Sequence, residues 1–139
     1  MHILKMFKKE IARIVNQSKI LFFKKYINIF MKEKKKKVMI CQPMNGLTDE
    51  EIEKTKLEAA KELSKKGYEV VNTFFNGTEE CEWADKQKNI PVAYLSMSIA
   101  KMSEVDAVYF CKGWSKARGC KVERQVAENY GYKILGFEN

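Results

Sequence analysis

From residue 38 onward, short apolar runs alternate with segments of helical pattern, and nothing else in the chain constrains the fold as much. "VMICQ" (38–42) is a short apolar run, which predicts a buried strand. Thr48 then precedes "DEE", and Glu51 stands three residues on, so a capping box opens a helix. Leu57, Ala60 and Leu63 give that helix its apolar face until Gly67 ends it. "YEVVN" (68–72) predicts a second strand, followed by a polar stretch from Thr73 to Asn89 without a period. Pro91 suits the first turn of a helix running to about Ser103, with Tyr94, Leu95, Met97, Ile99 and Met102 available for burial. "VDAVYF" (105–110) predicts a third strand and "YKILGF" (132–137) a fourth. Between them Ala117–Tyr130 reads as a helix closed by Gly131.

This order implies an α/β fold. The expectation is a three-layer sandwich, flavodoxin- or Rossmann-like, with a four- or five-stranded parallel sheet and helices on both faces. Ligands of such sheets bind beyond the carboxyl ends of the strands. Two segments leave strands at that edge, "CQPMNG" after the first and "CKGWSKARGC" after the third, and Glu123 follows the second.

Glu123 is oddly placed for a solvated charge. Its helical neighbours are Gly119, Cys120, Val126 and Ala127, none of them cationic, while Arg124 and Glu128 pair at i, i+4. Two readings stay open at this point. One is a surface carboxylate in the first helical turn, favoured by the helix dipole. The other is a carboxylate turned toward a ligand.

Charge divides the chain in two. Residues 1–37 hold 12 Lys/Arg and 2 Asp/Glu, whereas residues 38–139 hold 14 and 16. The overall charge of +8 therefore belongs to a leader, 1–37, and the domain, 38–139, is slightly acidic. A nucleic-acid role for the domain loses its electrostatic support. In the leader, Ile3, Phe7, Ile11, Ile14 and Val15 recur at helical spacing among lysines, a basic amphipathic pattern. Its longest apolar run, "ILFF", is far short of a membrane span, although residues 1–30 could touch an anionic membrane surface weakly. The alternative is a domain that begins at Met31, with residues 1–30 an appendage or an over-long reading of the gene.

No metal or other cofactor is expected. Cys41, Cys81, Cys111 and Cys120 form no C-x-x-C pair, and His2 is the sole histidine. Free thiols imply a reducing, cytoplasmic setting, with Cys41 and Cys111 as small core residues. "QPMNG" lacks the Lys-Ser/Thr of a P-loop, which disfavours an ATPase.

"ICQPMNG", "VDAVYFCKGW" and "RGCKVERQVAENYG" together resemble the nucleoside 2-deoxyribosyltransferase-like superfamily, most closely its DUF4406 branch, over about residues 37–137. The resemblance implies a transferase or hydrolase (N-glycosidase) acting on a nucleoside or nucleotide, in which a glutamate attacks C1′ of the sugar and displaces the base. Glu123 is the matching residue. The resemblance also implies a homo-oligomer, in which a neighbouring subunit covers the pocket. Two positions depart from the pattern. Ser98 stands where those enzymes carry an aspartate that assists proton transfer, and Ala117 where they place an aspartate or a phosphate-binding serine. Asp85 is the candidate replacement carboxylate, and Asp106 reads as structural, accepting backbone hydrogen bonds at the strand entrance.

The ligand-binding candidates are Gln42, Pro43, Met44, Asn45, Gly46, Gly113, Trp114, Gly119 and Cys120. Gln42 and Asn45 can hydrogen-bond a sugar or base, or close the turn. Trp114 can stack on a base, or cap the sheet edge. The rival to the enzyme is a binder of a nucleotide or nucleotide-derived signal without turnover. A third reading is an interaction module tethered by the leader.

Overall fold

The computed structural model describes residues 2–33, 35–71, 73 and 77–139. The chain forms two compact units, residues 1–35 and 36–139. The first is one helix, α1 (His2–Glu33), whose side chains are exposed through residue 29. Among the described residues no helix is long and apolar enough to cross a membrane.

The second unit runs β1 (Lys37–Cys41), α2 (Asp49–Lys65), β2 (Glu69–Val71), α3 (Glu79–Asp85), α4 (Ile90–Met102), β3 (Ala107–Phe110), a 3₁₀ turn (Trp114–Lys116), α5 (Arg118–Asn129) and β4 (Lys133–Gly136). All pairings are parallel, in the order β2-β1-β3-β4. This is the Rossmann- or flavodoxin-like α/β fold expected, with four strands.

The central strands explain the layering. Strand side chains alternate between faces. Val38, Ile40, Ala107 and Tyr109 pack with Ala59 and Leu63 of α2 on one face. Met39, Cys41, Val108 and Phe110 pack with Met102 of α4 and Cys120 and Ala127 of α5 on the other. Both faces of β1 and β3 are thus covered, which is why these strands read as unbroken apolar runs. The chain reverses its direction of winding between β1 and β3, so a crevice opens beyond their carboxyl ends.

Local signals account for most element ends. Thr48 and Glu51 close the capping box of α2 in both directions. Asn89 accepts from the Val92 N–H ahead of α4, with Pro91 in its first turn. Asp106 accepts from the Lys37 N–H at 2.8 Å, joining the entrances of β1 and β3 as expected.

Several expectations need correcting. Leu57 is 52% exposed, because the buried stripe of α2 is centred on Ala59 and Leu63. The polar stretch 73–89 contains a helix, α3, capped by Thr78 and opening on Glu79 and Glu80. The predicted strand end at Asn72, and residues 74–76 of that stretch, lie outside the described residues.

One glycine is demanded by backbone proximity. Gly136 has φ +95°, and a Cβ there would fall 2.2 Å from the Phe110 carbonyl oxygen. That same oxygen accepts from the Phe137 N–H at 2.9 Å. Trp114 then donates its indole N–H to the Phe137 carbonyl (2.9 Å) and packs on Phe110, with ring centroids 5.4 Å apart. The end of β4 thereby anchors the turn that launches α5.

Candidate functional site

A cavity of about 490 Å³ opens beside the carboxyl end of β1, within the usual range for a small-molecule site. The segment after β1 supplies Gln42, Met44 and Asn45. Helix α4 adds Pro91, Tyr94, Leu95 and Ser98, and the start of α5 brings Lys116 to Cys120 and Glu123. Thr73 completes the lining.

Glu123 is 8% exposed, so it is no surface carboxylate. It is also the sixth residue of α5, one turn deeper than the first-turn position expected. A helix dipole acts mainly within the first turn and gives little help there. Burial pushes its carboxyl above the ordinary value near 4.5. The neighbouring Cys41 thiol and Ser98 hydroxyl oppose that shift by favouring the ionised form. The site therefore holds one carboxylate that is costly to ionise, with two neutral groups beside it that favour its ionised form.

The thiols around it are unreactive. Burial raises Cys41 well above its usual range and Cys120 to about 12, with the Glu123 charge adding to both. Cys111, buried behind β3, rises to about 11 for the same reason of burial. These thiols stay protonated near neutral pH, as small core residues do. Among the described residues no group of three or more His, Cys, Asp or Glu side chains could hold a metal ion.

Of the residues singled out by sequence, Gln42, Met44, Asn45, Ser98, Gly119, Cys120 and Glu123 line this one cavity. Pro43, Gly46, Gly113 and Trp114 do not line it. Gly46 is a turn glycine at φ +81°, and Gly113, at φ +82°, would place a Cβ 3.8 Å from Pro43. Trp114 caps the sheet edge, held by Phe110 and the Phe137 carbonyl, with the Arg124 guanidinium 4.7 Å above its ring. Gly119 is helical, and a Cβ there would only touch Leu95 at 3.8 Å, so packing does not require glycine.

Asp85 is exposed at the end of α3 and does not line the cavity. It accepts the Tyr94 hydroxyl hydrogen at 2.8 Å, and Tyr94 does line it. That bond to a carboxylate raises the Tyr94 pKa. Tyr94, Lys116 and Arg118 are the residues that sequence reasoning passed over. Tyr94 fits the apolar pattern of α4 and so reads as packing, while Lys116 ends the 3₁₀ turn and Arg118 opens α5, where a cation carries no periodic signal.

Fold and site together define a parallel α/β domain with a ligand-sized cavity at its switch point and a buried carboxylate in the wall. Residues 36–136 match the family described as "Domain of unknown function (DUF4406)", and the chain belongs to that family. No match to the chain is found among curated proteins or among solved structures.

Proposed function

We propose that the domain acts on the N-glycosidic bond of a nucleoside or nucleotide, with Glu123 as nucleophile. The observation that carries this reading is a buried, singly placed carboxylate lining a cavity of ligand size at the sheet's carboxyl edge. A low-dielectric wall strengthens the attraction between that carboxylate and a cationic, oxocarbenium-like C1′. In the first step a Glu123 oxygen forms a bond to C1′ as the C1′–N bond breaks, and the electron pair leaves on the base nitrogen, which takes a proton from solvent. Water, or a second base, then displaces Glu123 from C1′. When water attacks, it returns that proton to solvent. Lys116 and Arg118 in the lining favour a ligand that carries negative charge, hence the phosphorylated form.

A specific observation supports a second reading, binding without turnover. Ser98 cannot act as a carboxylic acid, and Asp85 reaches the cavity only through Tyr94. The deciding experiment incubates the full chain with a panel of nucleosides and their 5′-monophosphates and measures free base. Glu123→Gln should lower release a hundredfold or more, on the order of 3 kcal/mol at ~1.4 kcal/mol per decade. Bound ligand with no base from the wild type would leave only the binding reading.

A further inference from the structure

Gln42 sits just past the last residue of β1, is 8% exposed, and lines the cavity that holds Glu123. Its amide has two ends with opposite needs. The Nε2 end donates to the Ile52 carbonyl of α2 at 3.0 Å. That bond fixes which way the amide faces, because the flipped group would set its oxygen against a carbonyl oxygen. The Oε1 end accepts nothing. Among the described residues it is the sole fully buried side-chain nitrogen or oxygen without a partner.

A buried acceptor left unpaired is costly, and native proteins seldom keep one without reason. Here the orphan belongs to a residue of the cavity wall, and a small turn of the side chain toward the cavity would present it to a ligand. The donors of that wall do not compensate: the Tyr94 hydroxyl hydrogen is committed to Asp85, and none of Asn45, Lys116 and Arg118 pairs with the oxygen.

We propose that Gln42 Oε1 is a specificity-determining acceptor, which selects bound molecules presenting a neutral N–H or O–H donor to it. This rests on the nucleoside or nucleotide reading of the cavity. In such a ligand the donor is either an N–H on the base edge or a hydroxyl of the sugar. A site built around a buried acceptor rejects analogues that lack the hydrogen, because they restore the unpaired state.

The test is calorimetric titration of the full chain with paired 5′-monophosphates that differ by one donor. Base pairs are adenosine against purine riboside, cytidine against pyrimidin-2-one riboside, and uridine against 3-methyluridine. Sugar pairs are adenosine against 2′-deoxyadenosine and against 3′-deoxyadenosine. The expected result is a tenfold to hundredfold preference for the donor-bearing member of at least one pair. Gln42→Met, similar in length but without the acceptor, should erase that preference. Gln42→Glu, which keeps an acceptor and loses the bond to Ile52, should retain it. Binding without any preference, or a preference that survives in Gln42→Met, overturns the role of Gln42 and leaves the nucleotide reading intact. No binding by any member overturns both.

Discussion

Ser98 of α4 and Glu123 of α5, 25 residues apart in sequence, line one cavity wall, and the Ser98 hydroxyl there favours the ionised form of the Glu123 carboxylate. A neutral donor here favours the ionised carboxylate without competing for its proton. An aspartate in its place would put two carboxyls within hydrogen-bond reach, where they share a proton and titrate as a pair. One member would then be a protonated acid beside an ionised nucleophile. Ser98→Asp should create or raise base release by at least about tenfold, with a bell-shaped pH dependence, since a placed acid contributes about 10²–10⁴-fold. Free base measured from pH 4 to 9 checks this, and a flat profile at wild-type level would count against the missing-acid explanation.

Stability should carry the mark of Glu123 independently of any activity. Its carboxyl binds a proton more tightly folded than unfolded, because burial raises its pKa. The corresponding stability is complete below the unfolded value near 4.5 and is lost as pH rises through the folded value. Glu123→Gln is neutral throughout. The melting-temperature difference, variant minus wild type, should therefore grow as pH rises above about 4.5 and level off once the folded pKa is passed. A difference that stays constant from pH 4 to 8 would mean that the carboxylate is not desolvated.

Gly136 offers a test of the frame that aims α5. An alanine there meets both a left-handed φ of +95° and a Cβ position 2.2 Å from the Phe110 carbonyl oxygen. Strained backbone alone costs roughly 1–3 kcal/mol, and backbone atoms of a paired strand cannot step aside cheaply. Gly136→Ala should lose about 3 kcal/mol or more by urea denaturation. Gly131→Ala, also at positive φ (+74°) but with nothing within 4 Å, should lose less.

What could be read in the sequence follows from how local its cause is. Capping and helix-start residues such as Thr48, Glu51 and Pro91 act within one turn, so α2 and α4 begin where expected. The doubly covered β1 and β3 announce themselves as apolar runs. Glu123 stood out because its helical neighbours offered it no cation. Its burial was hidden, since that depends on Cys41 and Ser98 arriving from β1 and α4. The orphaned Gln42 oxygen was equally unreadable, being defined by the Ile52 carbonyl ten residues away. Short α3 escapes a reading of the sequence for another reason: seven residues give little room for a period.

Assembly can be stated more narrowly than the sequence allowed. Met102 is 1% exposed and committed to the core, so it offers nothing to a neighbouring subunit. Exposed apolar side chains instead flank the cavity-lining Pro91, at Ile90 and Val92, and cavity-lining Met44 is itself exposed. We expect a homo-oligomer that uses this rim. Sedimentation of the full chain should give a dimer or larger, and Val92→Glu should shift it toward monomer. A wild-type monomer at micromolar concentration would exclude the contact.

The pair Tyr94 and Asp85 decides whether the exposed carboxylate has any part in the site. Asp85 does not reach the cavity itself, so any influence must pass through the 2.8 Å bond to the Tyr94 hydroxyl. That bond commits the tyrosine's hydrogen, so toward a ligand the hydroxyl can act only as an acceptor. If the two residues act as one unit, Tyr94→Phe and Asp85→Asn should each reduce ligand affinity or base release by about tenfold. The double variant should then be no worse than either single one, because residues sharing one interaction are not additive. The readout is a double-variant cycle on binding and on turnover, with melting temperature followed in parallel. Independent, additive losses would mean that the two residues contribute separately. An unchanged Asp85→Asn beside an impaired Tyr94→Phe would leave the tyrosine alone in the site and make Asp85 a surface residue.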